Sequence, residues 1–247
     1  MKNRIIIGVL LFVGLVLVAW WDFAPLNFVL FAFILAMAFY ESLQLFDIDY
    51  KALCVIPLVF FTFLPFTNDF NDLFKIILLN ISLVAGVLAY TKSPNLKFIL
   101  PFIYPTIPLF IMFGLYYNFG MDYLIWLILT VVASDSGAYF VGKAIGKTPF
   151  SPSSPNKTLE GLAGGFIISI IIGSVFAMIF TDISFFIIIT TTILVSLFGI
   201  FGDLFESYLK RLSGVKDTSS LLGEQGGIMD KIDGYLFGSI AMFLVLA

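Results

Sequence analysis

Histidine is absent from these 247 residues, and cysteine occurs once, at Cys54. The first absence removes the commonest general base, the commonest zinc ligand and the usual near-neutral pH switch together. The second excludes a disulfide framework within the chain, and Cys54, set in an apolar run, is expected to be inert filler. Charge is scarce too: 12% of residues are charged, against roughly 25% in a soluble domain. With 60% hydrophobic residues and a mean hydropathy of +1.08, the chain lacks the polar surface that water would require. Thirteen basic and sixteen acidic residues leave a net charge of −3, which argues against a nucleic-acid partner. Catalysis, if any, must rest on carboxylates, lysines, arginine, hydroxyls, backbone amides and imported metal.

What the chain has in abundance is apolar stretches of about the length that crosses a bilayer, roughly 17–25 residues. They fall at 5–21, 26–40, 52–66, 74–90, 98–117, 122–140, 159–181, 184–202 and 234–247. The pair 26–40 and 52–66 also reads as re-entrant, and the last span is short enough to begin earlier, near Lys231. No cleavage site follows the first run, and Trp20–Trp21 reads as an interfacial anchor, so that segment is expected to be retained. The expected fold is therefore all-α and polytopic, with about nine spanning helices and a cytoplasmic N-terminus. Alternating from that end puts 1–4, 41–51, 91–97, 141–158 and 203–233 inside. These hold every lysine and arginine except Lys75, twelve of thirteen, as the positive-inside rule demands. The expected location is a cell inner (plasma) membrane, multi-pass, with the active site facing the cytoplasm.

No internal repeat is evident. The division expected is 1–120, membrane helices with bland connectors, and 121–247, a catalytic region carrying the two long polar segments 141–158 and 203–233. Asp135 lies well inside an apolar span, where a carboxylate is costly unless paired or lining a wet cavity. Gly137, Gly142, Gly146, Lys143 and Lys147 follow, then a Ser/Pro-rich loop from Ser151 to Pro155. Asn156-Lys157-Thr158 then leads into a helix with Glu160 in its first turn. Glycines permit close backbone approach and helix N-termini present free N–H groups, so the segment reads as a phosphate-binding surface. The plainer alternative is a cytoplasmic loop with positive-inside lysines. Gly161-x-x-Gly164-Gly165 reads as close helix packing.

In the second segment Asp203, Glu206, Ser207, Lys210 and Arg211 fall at i, i+3, i+4, i+7 and i+8, one stripe of a helix. A polar loop follows with Lys216-Asp217 and Gly226-Gly227, and then Asp230 and Asp233, again three apart, open the last helix. Carboxylates clustered beside lysines and an arginine suit a magnesium–polyphosphate site. An amphipathic surface helix is the plainer reading, but it has no need of Asp203, Asp230 and Asp233 all at the membrane edge.

From Ser207 to Asp233 the sequence resembles the signature of phosphatidate cytidylyltransferases (CDP-diacylglycerol synthases). Ser207, Leu209, Lys210, Arg211, Lys216, Asp217, Ser219, Leu222, Gly223, Gly226, Gly227, Ile228, Asp230, Ile232 and Asp233 match it. Gln225 stands where the family has His, and Lys231 where it has Arg. Upstream, Asp135-Ser-Gly-Ala-Tyr-Phe, Gly146-Lys147, Ser151-Pro152 and Lys157-Thr158-Leu159-Glu160-Gly161 match further elements, with Asn156 in place of a Lys.

The resemblance implies a membrane nucleotidyltransferase that moves a cytidylyl group from CTP to phosphatidate, giving CDP-diacylglycerol and pyrophosphate for phospholipid synthesis. It points to Asp203, Lys210, Arg211, Lys216, Asp217, Asp230 and Asp233 as catalytic, with Asp203 and Asp230 holding Mg²⁺, alone or with a second cation. Asp135, Lys147, Lys157, Thr158, Glu160, Ser207, Gln225, Gly226, Gly227 and Lys231 are expected to bind substrate. The partners expected are CTP, phosphatidic acid, the bilayer, no nucleic acid, and a second copy of the chain if a homodimer forms. Gln225 cannot do proton chemistry but can hydrogen-bond, and Lys231 keeps charge while losing bidentate phosphate recognition. Two rival readings are a CTP-dependent lipid-alcohol kinase and a secondary transporter using Asp135 and Glu160.

Overall fold

The computed structural model describes residues 13–67 and 69–247. The segment 1–12, with Lys2, Arg4 and the first part of the expected 5–21 span, lies outside the described residues. The described part of that span, 13–21, is helical and is called α1. The other α-helices are α2 (Ala24–Leu45), α3 (Val55–Phe61), α4 (Phe70–Tyr90), α5 (Leu100–Ile103) and α6 (Thr106–Phe119). They are followed by α7 (Met121–Ile145), α8 (Leu159–Phe180), α9 (Phe185–Leu212) and α10 (Met229–Leu246). The protein is an all-α, polytopic membrane protein. Among the described residues, α2, α4, Leu96–Phe119, α7, α8 and α9 are long and apolar enough to span a bilayer.

Two expected spans take a different form. Residues 52–66 become a 3₁₀ turn (Lys51–Cys54), the seven-residue α3 and a second 3₁₀ turn (Leu64–Phe66). Sixteen residues would rise only ~24 Å even as one continuous helix, less than the ~30 Å hydrocarbon core. The stretch 98–117 is divided at Tyr104, which is extended before Pro105, because proline disfavours a helical conformation in the residue before it. The last helix begins at Met229, earlier than 234, so that Asp230 and Asp233 lie within it.

The chain forms two compact units. The first comprises Met1–Tyr117 and Val215–Lys231. Its core includes a cluster of Phe39, Leu43, Ile48, Val84 and Phe102, against which half-buried Cys54 packs as apolar filler. Phe39 and Phe102 meet edge to face at 4.9 Å. Polar atoms in this unit are knotted together: Asn27 Nδ2 donates to Asp22 Oδ1 (3.0 Å) and to Tyr116 OH (2.7 Å). Lys75, the one basic residue assigned to the outer face, pairs with Asp72 at 2.7 Å one turn away on α4.

The second unit comprises Asn118–Gly214 and Ile232–Ala247. Here α7 and α8 lie so close that a Cβ on Gly137 would sit 2.9 Å from Gly165 Cα, and one on Gly161 2.7 Å from Ala138 O. The Gly161–Gly165 pattern is thus a packing stripe, the membrane solution in which small residues let backbones meet. Hydroxyls fasten α9 to these two helices: Trp126 Nε1 donates to Thr192 Oγ1 (3.1 Å), and Ser169 Oγ meets Ser196 Oγ at 2.6 Å. Between α7 and α8 the chain forms an antiparallel hairpin of β1 (Pro149–Ser151) and β2 (Ser154–Thr158). The Ser/Pro-rich segment expected to be a loop is therefore partly strand, and the Glu160 carboxylate, accepting from Lys147 N and Thr148 N, draws its ends together.

Candidate active site

In the second unit, four elements converge on one cavity of about 430 Å³, α8 giving it the apolar side chain of Leu162. Helix α7 contributes Asp135, Tyr139 and Lys143; β2 contributes Asn156, Lys157 and Thr158; α9 contributes Asp203. Thr158 has extended backbone and caps α8, its hydroxyl accepting from Gly161 N at 3.2 Å. That cap ends the strand and starts the helix at one residue, which holds Lys157 at the cavity wall. The Lys157 ammonium is paired with the Asp203 carboxylate, whose other oxygen accepts from Ser207 Oγ at 3.3 Å. Burial works to lower the Lys157 pKa, but the charge and hydrogen bond of Asp203, with the charges of Asp135 and Asp233, hold it above its ordinary value. The ammonium stays charged.

Glu160 is placed differently from Asp135. Its carboxylate accepts from Lys147 N (3.0 Å), Thr148 N (3.1 Å) and Thr148 Oγ1 (2.7 Å), so it ties off the base of the hairpin. Neither Glu160 nor Lys147 lines the cavity.

The charge stripe of α9 is continuous helix to Leu212, ten residues beyond the span expected from hydropathy. Glu206 is fully buried and Lys210 reaches back one turn to it at 3.0 Å. Arg211 is on the exposed side of the helix end. Asp233 Oδ1 accepts from Gly234 N at 2.8 Å, and a Cβ on Gly202 would meet Asp233 O at 2.5 Å, so α9 and α10 pack closely here.

The remaining assigned residues belong to the first unit. Lys216 and Asp217 are exposed, Gln225 and Lys231 half-buried, and Gly226 and Gly227 buried. Gly226 takes φ +83°, a conformation glycine adopts without penalty, and the turn around it is closed by Leu222 N to Gly226 O at 2.9 Å. Asp230 Oδ2 accepts from Gly227 N (2.7 Å), Thr218 N (2.8 Å) and Thr218 Oγ1 (2.8 Å), so through this oxygen it organises the loop that precedes it.

Sequence reasoning missed Glu41. It is only 2% exposed, on α2, and accepts hydrogen bonds from Thr218 Oγ1, Ser219 Oγ, Ile228 N and Met229 N. Hydropathy ended that span at residue 40 and left Glu41 in a connector, whereas α2 runs on to Leu45. The available signal was a carboxylate one residue past an apolar run, and carboxylates at membrane depth are functional by default.

As to a metal, the donors at the cavity are carboxylate oxygens, hard ligands of the type Mg²⁺ takes. Asp203 already pairs with a cationic group, the Lys157 ammonium. The residues fit a hard divalent cation accompanied by phosphate oxygens. Among the described residues no three acidic or cysteine side chains form an all-protein cage, and Mg²⁺ on a nucleotide needs none, since phosphates and waters fill most of its shell.

Comparison with known proteins agrees with this chemistry. Residues 2–247 match the model of the cytidylyltransferase family. Phosphatidate cytidylyltransferases of Helicobacter pylori strains J99 and 26695 are each 38% identical over 245 residues, covering 99% of this chain and 91% of theirs. The phosphatidate cytidylyltransferase of Bacillus subtilis strain 168 is 39% identical over 132 residues, 53% of this chain and 49% of its own. The similarity extends through the N-terminal helices as well as the polar segments, and the chain belongs to the cytidylyltransferase family of nucleotidyltransferase enzymes.

Proposed function

We propose that this membrane enzyme transfers the cytidylyl group of CTP to phosphatidate, forming CDP-diacylglycerol and releasing pyrophosphate for phospholipid synthesis. The observation that carries the reading is the charged cavity holding Lys157 and Asp203 in a membrane protein similar, over nearly its whole length, to phosphatidate cytidylyltransferases. A phosphate oxygen of the lipid attacks the α-phosphorus of CTP; the new P–O bond forms as the bond to the β-phosphate oxygen breaks, and pyrophosphate carries away the electron pair. A phosphate monoester is already ionised near neutral pH, so no strong base is required, which suits a chain without histidine. The protein's task is to align two anionic groups and offset their repulsion.

Lys157, Lys143 and Thr158 would hold phosphate oxygens at the cavity. Lys210, Arg211 and Lys216 are assigned to the triphosphate and the leaving pyrophosphate. Asp203 would hold Mg²⁺, and the family signature gives Asp230 the same task. When bound, Mg²⁺ supplies positive charge that neutralises phosphate oxygens. The twelve basic residues assigned to one side support a cytoplasmic site in an inner membrane with the N-terminus inside.

The test is incubation of the purified full-length protein in detergent with Mg²⁺, phosphatidate and CTP labelled at its α-phosphate. Label should pass to the lipid with release of pyrophosphate, and chelation should stop it. With CTP labelled instead at its γ-phosphate and a lipid alcohol supplied, labelled lipid would mark a lipid-alcohol kinase and overturn the proposal, as would the absence of transfer from the α-labelled nucleotide.

A further inference from the structure

We propose that Glu41 is a positioning residue for the reaction, clasping both ends of the 218–229 loop so that Asp230 and the Gln225-Gly226-Gly227 turn are set in place. The inference rests on the proposed function, in which Asp230 holds Mg²⁺.

Each carboxylate oxygen of Glu41 takes one donor from each end of the loop. Oε1 accepts from Ser219 Oγ (2.7 Å) and Ile228 N (2.9 Å). Oε2 accepts from Thr218 Oγ1 (3.0 Å) and Met229 N (2.8 Å). The N–H groups of Ile228 and Met229 stand at the start of α10, where the helix leaves its first donors without internal acceptors. A buried carboxylate there satisfies both and lies favourably at the positive end of the helix dipole. It therefore caps the helix that carries Asp230 while pinning the segment that follows Lys216-Asp217.

The clasp is joined to Asp230 through Thr218. The Thr218 hydroxyl lies 3.0 Å from Glu41 Oε2 and 2.8 Å from Asp230 Oδ2, with one proton to serve both. Gly227 closes the arrangement. Its N–H donates to Asp230 Oδ2, and a Cβ at this position would run into both the Glu41 carboxylate and Thr218 Oγ1. Glu41 itself is buried with four donors on its two oxygens, so it acts through Thr218 and the α10 N-terminus. The chemistry of the contact demands a carboxylate: four donors need about four lone-pair sites. Glutamine would turn an NH₂ toward two of those donors.

The experiment compares wild type with Glu41→Gln as purified full-length proteins in detergent, by hydrogen exchange and by steady-state kinetics. Exchange at 215–231 should quicken by about tenfold while α7, α8 and α9 keep their protection. Turnover should fall by about a hundredfold, as expected when reacting groups are misplaced. The Mg²⁺ concentration giving half-maximal rate should rise, which a general loss of stability would not produce. Three results overturn the proposal: unchanged exchange and turnover, faster loop exchange with normal turnover, or protection lost evenly along the chain. Ser219→Ala, which removes one of the four bonds, carries the same readouts at smaller amplitude if Glu41→Gln fails to accumulate. The exchange measurement needs no substrate, so it separates failure of the clasp from failure of the proposed reaction.

Discussion

Lys157 and Asp203, forty-six positions apart, form an ion pair that joins the hairpin before α8 to the polar end of α9. The pairing turns two segments that look separate in sequence into one wall of a cavity.

That pair sets the first expectation. Asp203→Asn should lower turnover by about a hundredfold or more, corresponding to roughly 3 kcal/mol of electrostatic stabilisation. Asp230→Asn should do the same, and Lys157→Met should fall with them while Lys157→Arg retains part of the rate. Because the Lys157 pKa is raised, any alkaline limb it contributes lies above the ordinary lysine value of 10.5. Initial rates over a Mg²⁺ series provide the check. Near-normal turnover in Asp203→Asn with unaltered metal dependence would remove it from the site.

Glu206 and Lys210 form a second pair, fully buried at the carboxylate. Removing the ammonium alone, in Lys210→Met, takes the paired cation from a buried carboxyl group and should cost about 3–5 kcal/mol. The double variant Glu206→Gln/Lys210→Met should recover much of that loss. Thermal unfolding in detergent would show it as a partial return of Tm in the double variant.

Gly165→Ala should separate α7 from α8, because the added methyl meets backbone: Ala138 N lies only 2.7 Å from its position. Backbone cannot rotate aside as a side chain can, so a loss of about 1–3 kcal/mol is expected. A Tm equal to that of the parent protein would show that the helices slide apart without cost.

Gln225 lies in the turn Gly223–Gln225, its backbone N donating to Leu222 O at 3.2 Å. Gln225→His keeps a hydrogen-bonding side chain and restores the family's residue, so activity should hold or rise. An inactive but folded Gln225→His protein would show that the loop is built differently here.

Membrane orientation is open to direct labelling. With Cys54 replaced, a cysteine at Ser153 should resist a membrane-impermeant thiol reagent applied outside intact cells, whereas one at Asp182 should react. Reversed reactivity would invert the assigned topology.

Some of the site was legible before any coordinates. The spacing of Asp203, Glu206, Ser207, Lys210 and Arg211 required one helical face, and α9 supplies it because the helix continues unbroken past its apolar span. The Gly161–Gly165 stripe was recognisable because only close packing makes use of so many absent side chains. Glu41 was not legible as a partner of the loop. Its contacts are with residues some 180 positions away, and nothing local distinguishes a clasp from a connector. Glu160 is the converse case: its place in the first turn of the helix after Lys157-Thr158 suggested a substrate-binding residue, but neighbouring N–H groups of the hairpin claim its oxygens.

By itself, the sequence determined the solvent, the class of fold and the chemical repertoire. Those follow from composition and period: too little charge for water, apolar runs near bilayer length, and carboxylates and lysines without histidine. Only the tertiary structure decided which of those groups meet. It set Lys157 on Asp203, turned Glu160 to the hairpin and spent Glu41 on the 218–229 loop. Hydrogen bonds and ion pairs act over a few ångströms, and which atoms come that close depends on helix packing rather than on order along the chain.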